Sequence, residues 1–169
     1  MSETRQDLAR RAAELREAFD RDFAQERRPD LTVMQSLLAF SLGGEPYAMR
    51  LSEIANVVSG RKITPVPDAA AGLLGFAGLR GAIMPVYDLH VLLGRAPCET
   101  PRWLALAAAA PVMLAFQTFD GHLRVTPDAV LPREGGEQAD RLVRDVVMVD
   151  GAARSIVHLP SLIDVIVKS

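Results

Sequence analysis

The chain has 169 residues, 49% of them hydrophobic and 24% charged, enough for one globular domain or two very small ones sharing a core. Its 19 Lys and Arg against 21 Asp and Glu give a formal net charge of -2, so no excess positive charge is available to displace counterions from a nucleic acid backbone, and six Phe, two Tyr and one Trp are few for a base-stacking platform. Cys98 is the only cysteine, which excludes an intrachain disulfide and a CxxC redox pair.

Charge is concentrated at the start of the chain, where residues 1–30 carry seven Arg and eight Asp or Glu. Within this stretch Leu8, Ala12, Leu15, Phe19 and Phe23 recur at spacings of three and four, the period of one helical stripe, which predicts an amphipathic helix from about Glu3 to Arg27, ended by Pro29. No apolar region precedes a small-residue cleavage site, so the segment does not read as a secretory signal. The sequence divides accordingly into an N-terminal helix, 1–30, and a β-rich domain, 31–169. The helix stripe either docks on the protein's own body or is offered to a partner or a second copy.

After Pro29 short runs of Val, Leu, Ile and Ala alternate with Gly, Pro and Asp-Gly, the pattern of small β-barrels. Leu37–Leu42 and Tyr47–Leu51 flank Gly43-Gly44-Glu45-Pro46 and predict a hairpin. Ile54–Val58 and Lys62–Val66 read as strands, with Pro65 and Pro67 confining the second to an edge; Ala69–Leu74 reads as a helical turn. Ala82–Val86 is a strand, and Asp88 caps a short turn of helix closed by Gly94. A polar link, Arg95–Arg102, leads to buried strands at Trp103–Ala108 and Val112–Phe119. Asp120-Gly121 predicts a hairpin into His122–Thr126, and Arg133–Arg141 a mobile loop. Val143–Val149 and Ser155–Leu159 form a last hairpin around Asp150-Gly151, and Pro160 opens a C-terminal helical turn. The longest apolar run, Trp103 to Phe116, has 14 residues, short of a membrane span, so a soluble cytoplasmic protein is expected.

The residues suited to chemistry do not cluster. His90, His122 and His158 form no metal-ligating motif, and Cys98 has no adjacent His to lower its pKa, so no metal, no cofactor and no catalytic residue is expected. Gly72, Gly75, Gly78 and Gly81 recur every third residue but lack the Lys-Ser or Lys-Thr of a phosphate loop, and are expected to serve close packing. Arg80 is isolated in a stretch otherwise free of charge from Ala69 to Tyr87, and must reach water or an acceptor.

The segments Phe40-Ser41-Leu42-Gly43 with Tyr47, Ile63-Thr64-Pro65-Val66-Pro67, Gly75-Phe76-Ala77-Gly78-Leu79-Arg80-Gly81-Ala82-Ile83-Met84-Pro85-Val86-Tyr87-Asp88-Leu89 and Leu93-Gly94 follow one another at a spacing that closely resembles the CheW-like family of chemotaxis adaptor domains. The resemblance implies two intertwined five-stranded Src-homology-type barrels, here with an added N-terminal helix, and no catalysis. It implies two partners, the regulatory domain of a histidine autokinase and the cytoplasmic tip of a chemoreceptor, at membrane-associated arrays and without membrane insertion. Ile54 and Val57 would lie on the first barrel's contact surface, and Gly75, Leu79 and Arg80 would border the contact surfaces. Asn56 stands where many relatives carry an acid able to pair with the signature Arg, which leaves Glu53 as the substitute partner of Arg80. Leu8, Leu15, Phe19 and Phe23 would form an extra interface, self-association included. A second expectation is a divergent relative that has lost kinase or receptor binding and scaffolds another signalling or motility system through its helix.

Overall fold

The computed structural model describes residues 7, 9–18, 33–134 and 141–169. The chain divides into two units, Met1–Val33 and Met34–Ser169. In the first, residues 9–18 form helix α1, on which Arg10 lies 3.8 Å from both Asp7 and Glu14, and Leu15 is exposed. Leu8, Phe19 and Phe23 lie outside the described residues.

The second unit is mainly β and builds two sheets, each a small barrel-type subdomain. The chain enters the first sheet with β1 (Gln35–Leu42) and β2 (Glu45–Arg50) and leaves it to build the whole second sheet: β3 (Ile54–Ser59), β4 (Leu73–Leu79), β5 (Ala82–Asp88), β6 (Trp103–Ala107) and β7 (Met113–Phe116). It then returns with β8 (Thr118–Val125), β9 (Val130–Pro132), β10 (Val143–Val149) and β11 (Ala152–Val157). Helices α2 (Leu89–Leu92) and α3 (Leu159–Lys168) follow β5 and β11. That departure and return is what intertwines the subdomains. The sheet orders are β8-β1-β2-β11-β10-β9 and β3-β6-β7-β5-β4. Apart from the three-residue β9, the sixth strand of the first sheet, the two correspond strand for strand. Each has one parallel pair, β2 with β11 and β7 with β5, and antiparallel pairing elsewhere.

Two strands read as unbroken apolar runs because both of their faces are buried. In β1, Leu37 joins a core inside the six-stranded sheet with Ala48, Val147 and Ile156, while Leu38, Phe40 and Leu42 point into a larger core shared with the other subdomain. In β7, Met113 and Ala115 face Leu79, Met84 and Val86 within the five-stranded sheet, while Leu114 and Phe116 enter the shared core. There the Phe40 and Phe116 rings meet at 5.2 Å, among Leu89 of α2 and Leu159 and Leu162 of α3.

Three expectations are corrected. Lys62–Val66 is no strand: Pro65 and Pro67 have no N–H to donate, and only Thr64 bridges to Phe76, N to O at 2.8 Å and back at 2.9 Å. The predicted helical turn at Ala69–Leu74 gives way to β4, whose buried Gly75, Ala77 and Leu79 alternate with exposed Phe76 and Gly78. Asp120-Gly121 makes no hairpin. The chain already changes sheets at Gln117, and Asp120 is the extra residue of a bulge in β8, where Ala39 pairs with Gly121 and Phe40 with Phe119. Residues 135–140 of the expected loop lie outside the described residues.

Candidate functional site

The crossing from β7 to β8 carries the chain from one sheet to the other within a few residues, and a groove opens beside it. Trp103, the first residue of β6, is held between Ser59 of β3 and Phe116 of β7 by the strand register. Its ring lies 5.1 Å from that of Phe119 on β8, tilted by 42°, so one aromatic from each sheet forms the floor. Thr100, Arg102, Gln117 and Thr118 complete a cleft of about 540 Å³. A second cleft of about 540 Å³, lined by Ser59, Gly60, Arg61 and Ile63, shares Arg102 and Trp103 with the first. No carboxylate lines either cleft, and the exposed Arg61 and Arg102 form no ion pair among the described residues. An aromatic floor within a polar and cationic rim is suited to a protein surface carrying apolar side chains and carboxylates. The lining offers no nucleophile with a base.

The residues singled out from the sequence fall into three environments. Ile54, Asn56 and Val57 sit on β3, an outer strand of the five-stranded sheet; Ile54 and Val57 are half-buried and pack on the shared core. Asn56 turns its side chain back on the strand, its Oδ1 accepting from Val57 N at 2.8 Å. Gly75 and Leu79 are buried in β4. Leu79 belongs to the inner core, and Gly75, at φ 144°, admits Thr64: a Cβ built there would meet Thr64 O at 2.0 Å. These two therefore act through the shape of the sheet and present no side chain to a partner. Arg80 is exposed at the tip of the β4–β5 hairpin, where Arg80 at φ 50° and Gly81 at φ 81° form the two-residue turn with both φ positive.

Glu53 is not the partner of Arg80. Its carboxylate lies 4.0 Å from Arg50 and accepts from Leu159 N at 3.1 Å, fixing the start of α3. Arg50 in turn bonds Asp145 at 2.5 Å, and Arg80 forms no ion pair among the described residues. The buried Asp88 takes the role expected of it, its Oδ1 accepting from His90 N at 2.9 Å and its Oδ2 from Cys98 N at 2.8 Å. His90 is buried; its Nε2 has no partner among the described residues, and burial holds its pKa below the usual histidine value. Burial pushes the Cys98 thiol up, away from thiolate reactivity. Arg95 ties the link after α2 to β2, donating to Glu45 and, through Nε, to Tyr47 Oη at 2.9 Å with its guanidinium 5.2 Å above the Tyr47 ring.

Trp103, Phe119, Arg61 and Arg102 were not singled out from the sequence. The available signal was the one tryptophan beside an arginine at the start of an apolar run.

Residues 36–167 match the CheW-like domain family. The chain is 24% identical over 134 residues to the probable chemotaxis protein CheW of Rhizobium etli, covering 76% of this chain and 86% of the relative. It is 24% identical over 139 residues to the chemotaxis protein CheW of Rhizobium meliloti, with the same coverage of 76% and 86%. It is 24% identical over 144 residues to the protein FrzA of Myxococcus xanthus, covering 82% of this chain and 88% of that one. In fold it is similar to the scaffolding protein TtCheW from Thermoanaerobacter tengcongensis, with a TM-score of 0.67 at 20% identity over 74% of this chain and 89% of the other. Among the described residues no helix is long and apolar enough to cross a membrane. The matched region runs from β1 into α3 and takes in both sheets and the groove between them: the chain belongs to the CheW-like domain family and is a non-catalytic adaptor.

Proposed function

We propose that the chain couples the cytoplasmic tip of a chemoreceptor to the regulatory domain of a histidine kinase, in the cytoplasm at receptor arrays. The receptor's helical hairpin occupies the groove floored by Trp103 and Phe119, and the kinase domain meets the five-stranded sheet through Ile54, Val57 and Arg80. Residues 1–30 are an appended helix and 31–169 the adaptor domain, with Leu8, Leu15, Phe19 and Phe23 as an additional contact stripe. The observation that carries the reading is the groove itself, aromatic at its floor and rimmed by two guanidiniums that form no ion pair among the described residues, on the fold of an adaptor family. A buried aromatic anchor is where binding energy concentrates, and the rim adds orientation and rate.

Trp103 makes the test direct, because its fluorescence reports the groove. Titration with a receptor-tip fragment from the same organism is expected to shift that fluorescence, and Phe119→Ala to weaken binding by roughly tenfold or more, equivalent to about 1.4 kcal/mol. Val57→Asp and Arg80→Glu are expected to abolish binding of the kinase regulatory domain while leaving receptor binding intact. Loss of both partners in every variant, with circular dichroism unchanged, overturns the assignment of two separate surfaces.

One observation favours a second reading. Asn56 stands where the family resemblance implies an acid, and Arg80 forms no ion pair among the described residues, as in a divergent adaptor with a different partner. Failure of every kinase and receptor from the organism to bind supports that reading.

A further inference from the structure

A third cleft, of about 500 Å³, lies away from Trp103, β3 and Arg80, between the C-terminal end of α2 and the outer side of α3. Leu92, Leu93, Leu142 and Val165 make it apolar. Arg141 and Arg144 stand on one side and Asp164 on the other, all three exposed and none in an ion pair among the described residues. Helix α3 buries Leu159, Leu162 and Ile163 yet leaves Val165, which lines the cleft, 46% exposed. Two cations and an anion facing solvent around an apolar centre form the anatomy of a docking site: an interior that desolvates and a rim that orients.

The backbone decides which kind of segment fits. A strand would need a free edge, but main-chain groups beside the cleft are already used: Leu142 O accepts from His158 N at 2.7 Å, Arg144 O accepts from Arg133 N at 2.8 Å, and β10 is paired with both β9 and β11. The cleft is bounded by α3 on one side, by the single turn α2 with Leu93 on another and by the turn into β10 on the third, so the one extended side-chain ridge it offers is that of α3, against which another helix packs. We propose that this cleft docks an amphipathic helix of a partner protein, apolar on the stripe that enters between α2 and α3 and acidic on the flank that faces Arg141 and Arg144.

The test uses the full chain and a fluorescein-labelled designed helical peptide of about 18 residues, with leucines at i, i+3, i+4 and i+7 and glutamates along one flank. Its partner in the experiment is the same peptide with lysines on that flank. The acidic peptide is expected to raise fluorescence anisotropy on binding, to bind roughly tenfold or more weakly to Arg141→Glu/Arg144→Glu, and to be lost with Val165→Asp. The lysine peptide is expected to reverse the preference, favouring the double variant. Phe119→Ala should change neither, which separates this cleft from the receptor groove. Equal binding of both peptides, or binding that survives Val165→Asp, overturns the proposal. So does dodecanoate binding where the acidic peptide does not, which makes the cleft a small-amphiphile site, or self-association abolished by Val165→Asp, which makes it an interface between copies.

Discussion

Arg80 occupies the first position of a turn that asparagine, aspartate or glycine fills at least cost. An arginine held at φ 50° gives up about 1 kcal/mol of backbone energy, and it gains no ion pair among the described residues. Strain retained without intramolecular return points to a contact made outside the chain. Arg80→Asn is therefore expected to raise stability by about 0.5–1 kcal/mol in denaturant unfolding while weakening kinase binding; equal or lower stability contradicts the strain argument. Gly75 is required for an internal reason. Gly75→Ala must displace the Thr64 carbonyl and is expected to cost roughly 3 kcal/mol or more, whereas Gly78→Ala on the same strand meets nothing within 4 Å and should stay within about 1 kcal/mol of the wild type. His90 supplies the pH dependence. Its folded pKa lies below the ordinary histidine value of 6.5, with burial outweighing the pull of Asp88, which raises it, and Arg95 adding to the lowering. The unfolded chain then binds the proton more readily, so the stabilisation is complete above pH 6.5 and is lost as pH falls from there toward the lowered value. Thermal midpoints should fall over that window in the wild type and more shallowly in His90→Leu. Parallel slopes contradict a neutral buried imidazole.

Among the elements, those whose turn chemistry and side-chain period agree could be read from the sequence. The β1–β2 and β10–β11 hairpins follow from Gly43-Gly44 and Asp150-Gly151 between apolar runs, and α3 from Pro160 with its apolar stripe. β4 was hidden because Gly75, Ala77 and Gly78 carry almost no strand propensity; its formation rests on pairing with β5 and on the Thr64 bridge. Asp120-Gly121 misled because the same dipeptide serves a turn in one context and a bulge in another. Glu53, a candidate partner for Arg80 by sequence, instead joins elements distant in the chain: it fixes the first N–H of α3 and approaches Arg50, which reaches Asp145 on β10. Glu53→Ala leaves a partly buried N–H and a guanidinium short of one acceptor, and is expected to cost about 1–3 kcal/mol with earlier exchange of the α3 amides. Unchanged α3 protection contradicts that role.

At the scale of the whole molecule, the family signature lay open in the chain from Phe40 to Gly94, while the near-identity of the two sheets did not. Strand order and one parallel pair repeat between subdomains that share no readable sequence repeat, because register and topology constrain only which positions are apolar. The groove was equally hidden: Trp103 and Phe119 become neighbours only when β6 and β8 close in different sheets. If the receptor takes the groove where the sheets meet and the kinase the five-stranded sheet, as proposed, the two surfaces are separate and one chain could hold both partners at once. Sedimentation of the full chain with a receptor-tip fragment and the kinase regulatory domain, each labelled with a distinct chromophore, measures that property directly. A single species carrying all three components is expected, losing only the receptor with Phe119→Ala and only the kinase with Val57→Asp; mutually exclusive binding, or one variant releasing both partners, rules out two separate surfaces.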